Sequence, residues 1–151
     1  MRTALTILLA LAAPATAQEV LPCDWQASAR NIVEPWADNT RIFANGDVRV
    51  AALDTIEPAV GFAFLMVLSP PFDEVGSRQC AVIGHTGGGS GFAGMDFAKL
   101  QADYDPTNGL ILQVPVNVFD PNLSTFPERF LTVEINQTNG DIQPSLAVAR
   151  Q

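Results

Sequence analysis

The sequence predicts a mainly β domain. It reads as an antiparallel meander of about eight strands with one N-terminal helix packed on it. The sheet is expected to be open and curved, with closure into a barrel as the alternative. Three observations carry this. Asn45-Gly46 lies between two β-prone runs, TRIFA and VRVAALD, the strongest short hairpin signal. Apolar and polar residues alternate with period two through 98–104, 110–118 and 131–135, the signature of half-buried strands. Only residues 23–36, CDWQASARNIVEPW, show helical spacing, with apolar side chains at Trp25, Ala29, Ile32, Val33 and Trp36.

The chain opens with MRTALTILLALAAPATAQ. A positive start at Arg2, an apolar run of about ten residues and the small-residue pattern Ala15-Thr-Ala17 identify residues 1–17 as a secretory signal peptide, too short in its apolar part to span a bilayer. Residues 18–151 then form a single β-rich domain by length, with no transmembrane segment after cleavage. The helix is expected over 24–34, capped by Asp24 and stopped by Pro35. Trp25 and Trp36 would anchor it to what it covers, with a ligand-stacking platform as their second reading. After residue 39 everything reads as strands. VGFAFLMVLS, residues 60–69, and RQCAVIGHT, residues 78–86, are apolar on both faces, so both need a cover on each side. In AKLQADY, residues 98–104, Ala98, Leu100, Ala102 and Tyr104 are expected to point inward. Leu110, Leu112, Val114, Val116 and Val118 follow after a turn at Gly109, and Leu131, Val133 and Ile135 repeat the scheme. Pro144 suits an edge strand, because proline donates no ladder hydrogen bond, and Pro115 suggests a bulge.

Cys23 and Cys80 are the two cysteines, and a pair in an exported chain is expected to form a disulfide. Closing the loop from residue 23 to residue 80 would stabilise the fold by roughly 4 kcal/mol on chain-entropy grounds. The bridge would pin the helix over the doubly apolar strands. Sixteen acidic side chains face eight basic ones, a net charge of −8. With no basic cluster, nucleic acid and anionic membrane surfaces are disfavoured as partners.

Six of the eleven glycines and the single histidine fall within GHTGGGSGFAGMDF, residues 84–97. Gly89-Ser-Gly91-Phe-Ala-Gly94 matches G-x-G-x-x-G, but a dinucleotide site needs a helix after the glycines and a parallel sheet around them. Here a strand pattern follows. Met95 defeats a phosphate loop and Phe92 defeats the nucleophile elbow around Ser90. The stretch therefore reads as a mobile hairpin connection, at which His85, Ser90 and Phe92 would be the ligand contacts. Asp103 to Gly109 resembles a calcium loop only faintly, since Val114 stands where the bidentate glutamate belongs. No metal site and no cofactor are expected.

The segments CDWQASARNIVEPW, NTRIFANGDVRVAALDTIEP and LSPPFDEVGSRQC resemble small exported proteins of α-proteobacteria that have no assigned activity. The resemblance implies a periplasmic or secreted location and transfers no site residue. The function expected is non-catalytic: an exported domain binding a partner protein, an envelope component or a small apolar ligand, the last on an apolar face lined by Phe62, Phe64, Met66 and Trp25 or Trp36. Two alternatives stand beside it. One is a periplasmic enzyme inhibitor acting through the 84–97 loop. The other is a hydrolase using His85, with Ser90 or Ser77 as nucleophile.

Overall fold

The structure is a computed structural model that describes residues 18–85 and 88–148. The expected signal peptide lies outside the described residues. The chain is mainly β, but it builds two antiparallel five-stranded sheets packed face to face, not one curved sheet, and neither closes into a barrel.

The first sheet contains β1 (Glu19–Pro22), β2 (Thr40–Phe43), β3 (Val48–Asp54), β4 (Ala63–Phe72) and β5 (Arg78–Gly84), in the order β1-β5-β4-β3-β2. The second holds β6 (Gly94–Met95), β7 (Gln101–Asp105), β8 (Gly109–Asn117), β9 (Glu128–Ile135) and β10 (Ile142–Val148). Its order is β10-β9-β8, with β6 and β7 placed end to end along the free edge of β8. Each sheet is a meander, as the turn signals require. Asn45 and Gly46 make the β2–β3 turn at φ 55° and 100°. The two sheets arise because β1 takes the place beside β5, with Glu19 opposite Gly84 and Pro22 opposite Ala81. The chain leaving β5 has no edge there to return along, so it crosses to the second sheet.

Alternation along the strands sorts the side chains between two cores. Val48, Val50 and Ala52 of β3, Ala63, Leu65 and Val67 of β4, and Ile83 of β5 face the second sheet. They meet Leu110, Leu112, Val114 and Val116 of β8 and Leu131, Val133 and Ile135 of β9, which point inward as their spacing predicts. The opposite face of the first sheet presents Leu53, Phe64 and Val82, packed with Leu21, Cys23, Ala27, Ile32 and Met66. The doubly apolar strands thus have their two covers. Cys23 and Cys80 are joined, with Cα atoms 5.5 Å apart.

The cover is not the expected helix over 24–34. It consists of two 3₁₀ turns, Trp25–Ala27 and Ala29–Asn31, separated by an extended Ser28. Asp24 makes no side-chain cap. The Asn31 Nδ2 donates instead to the carbonyls of Trp25 (3.1 Å) and Gln26 (3.0 Å). The segment is tied at both ends, by Cys23 to β5 and by Ile32 and Val33 to β3, where the Val33 amide donates to the Ala52 carbonyl at 3.0 Å. Stretched between these anchors, and carrying Ser, Asn and β-branched residues, it gains more from the sheet than from a short helix of marginal intrinsic stability. Trp25 and Trp36 are 50% and 53% exposed, so they do not anchor the cover.

β7 also departs from expectation. Residues 97–99 form a 3₁₀ turn, and Gln101 to Tyr104 are exposed on an edge strand, Tyr104 by 63%. The anchor here is Phe97, which is buried, with the Arg41 guanidinium 5.4 Å from its ring centre. Pro115 makes no bulge, since the β8–β9 register runs unbroken through Pro115 opposite Phe130. Its nitrogen faces the gap between β6 and β7, on the side where its carbonyl accepts from the Asp96 amide at 2.9 Å, so no β9 bond is lost. Pro144 lies on the edge strand β10, as predicted.

Edge strands present unpaired backbone that invites further pairing. The Tyr104 amide on β7 donates to the Asp103 carboxylate at 2.8 Å, and the Arg41 side chain on β2 donates to the carbonyls of Asp38 and Thr40 at 2.8 Å each. These local bonds and Pro144 blunt three of the edges.

Candidate functional site

The glycine-rich stretch is the connection between the sheets, not a hairpin, and what is described of it is closely packed. The His85 amide donates to the Ser90 carbonyl at 2.8 Å, and the Gly91 amide to the Gly61 carbonyl at 2.8 Å. Phe92 pairs with Ala63 through two backbone bonds, 2.7 and 3.0 Å, and the Ala93 amide reaches the Asn117 carbonyl at 2.9 Å. A Cβ on Gly91 would run into the Ala63 carbonyl oxygen and lie 2.8 Å from both the Gly61 oxygen and the Phe64 ring. Gly91 is therefore needed for close backbone approach, and this part of the stretch is packed where the sequence predicts a mobile connection. The Gly89 amide donates to the Glu19 carboxylate at 2.9 Å, tying the crossover to β1.

His85, Ser90 and Phe92 do come together. Phe92 is fully buried in the main core, its ring centre 5.9 Å from that of His85. The imidazole Nδ1 faces the Gln18 side-chain oxygen at 3.2 Å, and burial lowers the His85 pKa below the ordinary histidine value. The bond between His85 and Ser90 is a backbone bond. Ser77 precedes β5 while His85 follows it, which separates them by roughly 25 Å of extended chain. Trp25 belongs to the 3₁₀ segment after Cys23 and Trp36 to the turn that leads into β2, and neither is bonded to this cluster.

The crossover also joins two loops whose exposed apolar residues carry no periodic signal. The β3–β4 loop, residues 55–62, is bonded to it at Gly61, and the β8–β9 loop, residues 118–127, adjoins it at Asn117. All three lie at one end of the sandwich. On the first loop Ile56 is 77% exposed, and Val60 is exposed as well. Ile56 holds φ at +69°, a region that β-branched residues avoid. Its conformation is enforced by neighbours: its amide donates to Asp54 Oδ1 at 2.7 Å, the Thr55 hydroxyl donates to the Glu57 carbonyl at 2.9 Å, and the Thr55 amide donates to the Phe62 carbonyl at 3.0 Å. Asp54, Ile56, Ala59 and Phe62 border an open depression of about 240 Å³.

The second loop is likewise built from within. The Asp120 amide bonds the Thr125 carbonyl at 2.9 Å, Asp120 Oδ1 accepts from the Asn122 amide at 2.9 Å, and Asn117 Nδ2 donates to the Phe126 carbonyl at 3.1 Å. Phe119 and Phe126 stack in a tilted pair 5.3 Å apart, both half exposed, and Leu123 at the tip is 62% exposed. The segments IEPAV and FDPNLSTF are the sequence signal for these loops: apolar residues set among proline and turn formers, where no strand or helix would bury them.

No known protein family, no curated protein and no solved structure matches this chain. Among the described residues no group of three or more His, Cys, Asp or Glu side chains could hold a metal ion, and no helix is long and apolar enough to cross a membrane.

Proposed function

We propose that this chain is an exported, non-catalytic binding domain that docks a partner protein through the end of the sandwich formed by the 55–62 and 118–127 loops. The observation that carries the reading is Ile56. A β-branched residue at φ +69° that is 77% exposed bears backbone strain with little burial in return. Such an arrangement is retained where the side chain has a surface to meet. Val60, Phe119, Leu123 and Phe126 are further exposed apolar residues on the two loops, and both loops are held in shape by their own hydrogen bonds, which lowers the ordering cost of association.

Export is supported by the Cys23–Cys80 bridge, which persists in oxidising compartments. The reading moves the contact surface off the glycine stretch, which serves as the platform beneath the loops. Phe64, which the sequence places on a ligand-lined face, is fully buried in the second core cluster, and this favours the protein partner over the small apolar ligand.

The test is site-specific photo-crosslinking in the producing cells, from Val60 and Leu123 at this end and from Thr107 and Thr138 at the other. A discrete adduct from Val60 and Leu123 that Ile56→Asn reduces is expected. Equal labelling from both ends, or none from either loop, refutes the docking surface.

A further inference from the structure

Resting on the docking reading above, we infer that the partner presents an apolar pocket bordered by lysine and arginine side chains. The juxtaposition is one of exposed apolar residues and carboxylates on the segments that meet at one end of the sandwich. The segments 54–62, 85–96 and 117–129 carry Asp54, Glu57, Asp96, Asp120 and Glu128 against a single cation, Arg129. Glu19 joins them from β1 through its bond to Gly89. Arg129 is already held by Asp120, with its guanidinium 3.8 Å from the carboxylate. The nearby Lys99 is held by Asp96 at 2.8 Å and lies within the field of Glu128 as well. His85 is kept toward its neutral form by burial. The end of the sandwich is therefore apolar at its tips and negative around them, in a chain whose net charge is already −8.

That pattern selects among occupants. A second copy would bring the same carboxylates against these. A lipid surface would have to receive Ile56 and Leu123 together with the carboxylates of Asp54 and Glu57, for which no ion pair is found among the described residues, and burying unpaired charge is expensive. Extended-peptide pairing needs an open strand edge, and three of the edges are blunted by Asp103, Arg41 and Pro144. A folded partner with a concave apolar site and a basic rim satisfies both features at once. Ile56 and Leu123 fill its hollows, while Glu57 and Glu128, both exposed, meet its cations. Charge of this kind at a rim mainly raises the association rate and makes it salt-dependent.

The experiment takes the protein captured from Val60 or Leu123, purifies it, and measures its binding to the whole domain in a salt series. The wild type is compared with Glu57→Lys/Glu128→Lys and with Ile56→Asn. Neutral phosphatidylcholine vesicles serve as the lipid probe. Affinity is expected to fall as salt rises, and the charge-reversed variant to associate about tenfold more slowly, with a flatter salt dependence. Binding that ignores both salt and charge reversal, yet is lost in Ile56→Asn, overturns the basic rim while the docking surface stands. Absence of any end-specific adduct overturns both. Adsorption of the domain to the vesicles through Ile56 and Leu123, or an adduct with a second copy of the chain, overturns the choice of occupant.

Discussion

Gly91→Ala is the sharpest test of the crossover. If residues 85–93 were a slack linker, alanine would stabilise the fold by about 0.4–1 kcal/mol through the unfolded chain. The structure predicts the opposite sign. The added methyl meets the Ala63 carbonyl oxygen, the Gly61 oxygen and the Phe64 ring, and none of these is the free end of a flexible side chain. Overpacking of this kind costs about 1–3 kcal/mol. Displacing the strand also weakens the 2.8 Å bond from the Gly91 amide to the Gly61 carbonyl, worth about 1 kcal/mol more. A loss near 3 kcal/mol follows, or a fall in Tm of roughly 10 °C for a domain of this size. Gly88→Ala is the control. Gly88 sits at φ +84° with open space around its Cβ position, so alanine there costs about 1–2 kcal/mol, from backbone strain alone. Urea unfolding followed by far-ultraviolet circular dichroism, analysed at constant m-value, measures both. A Gly91→Ala variant no less stable than Gly88→Ala would refute the close-packed crossover, and with it the platform beneath the two loops.

Three further outcomes are expected. Cys23→Ser/Cys80→Ser should lose about 2–4 kcal/mol in the same denaturation assay, with hydrogen exchange rising first in residues 23–33, where the bridge holds the cover; uniform exchange across both sheets would contradict this. Ile56→Asn should gain about 1 kcal/mol, since asparagine tolerates positive φ and little apolar burial is lost, even as docking weakens; a destabilised variant would show that the strain has been misjudged. His85 has its pKa lowered by burial, so the folded state binds fewer protons than the unfolded state near the ordinary value of about 6.5. Its contribution to stability is full above that value and is lost as pH falls through the folded pKa. His85→Asn should therefore flatten the decline in Tm as pH falls below about 6.5, and an unchanged slope would count against it.

How much could be read from residues alone differs by element. The Asn45-Gly46 hairpin, the inward sets of β8 and β9, the central place of β4, the edge position of Pro144 and the cysteine pair were all legible, because each rests on a local rule or on a two-member choice. The division into two sheets was not. Alternation says which side of a strand is apolar but not what covers it, and a single curved sheet offers the same pattern as two stacked ones. Residues 25–36 imitated a helix because two tryptophans that point to solvent were counted as its buried face. The Ala98–Tyr104 alternation misled similarly, since an edge strand needs only Phe97 and Leu100 to reach the core. At the loop end, Ile56 and Leu123 break the rule that large apolar residues are buried, and only the strand topology reveals that their loops share one end of the sandwich.

One consequence follows from the position of β1 beside β10. β1 starts at the loop end with Glu19 and β10 finishes there with Val148, so the two outer strands bring the described chain ends to the same region. A short linker between them would yield a circular permutant, opened at a tip on the far end such as Thr107-Asn108, in which both sheets keep every neighbour they now have. Such a rearranged chain would carry its new termini well away from the apolar knobs, a convenient handle for immobilising the domain without obstructing them.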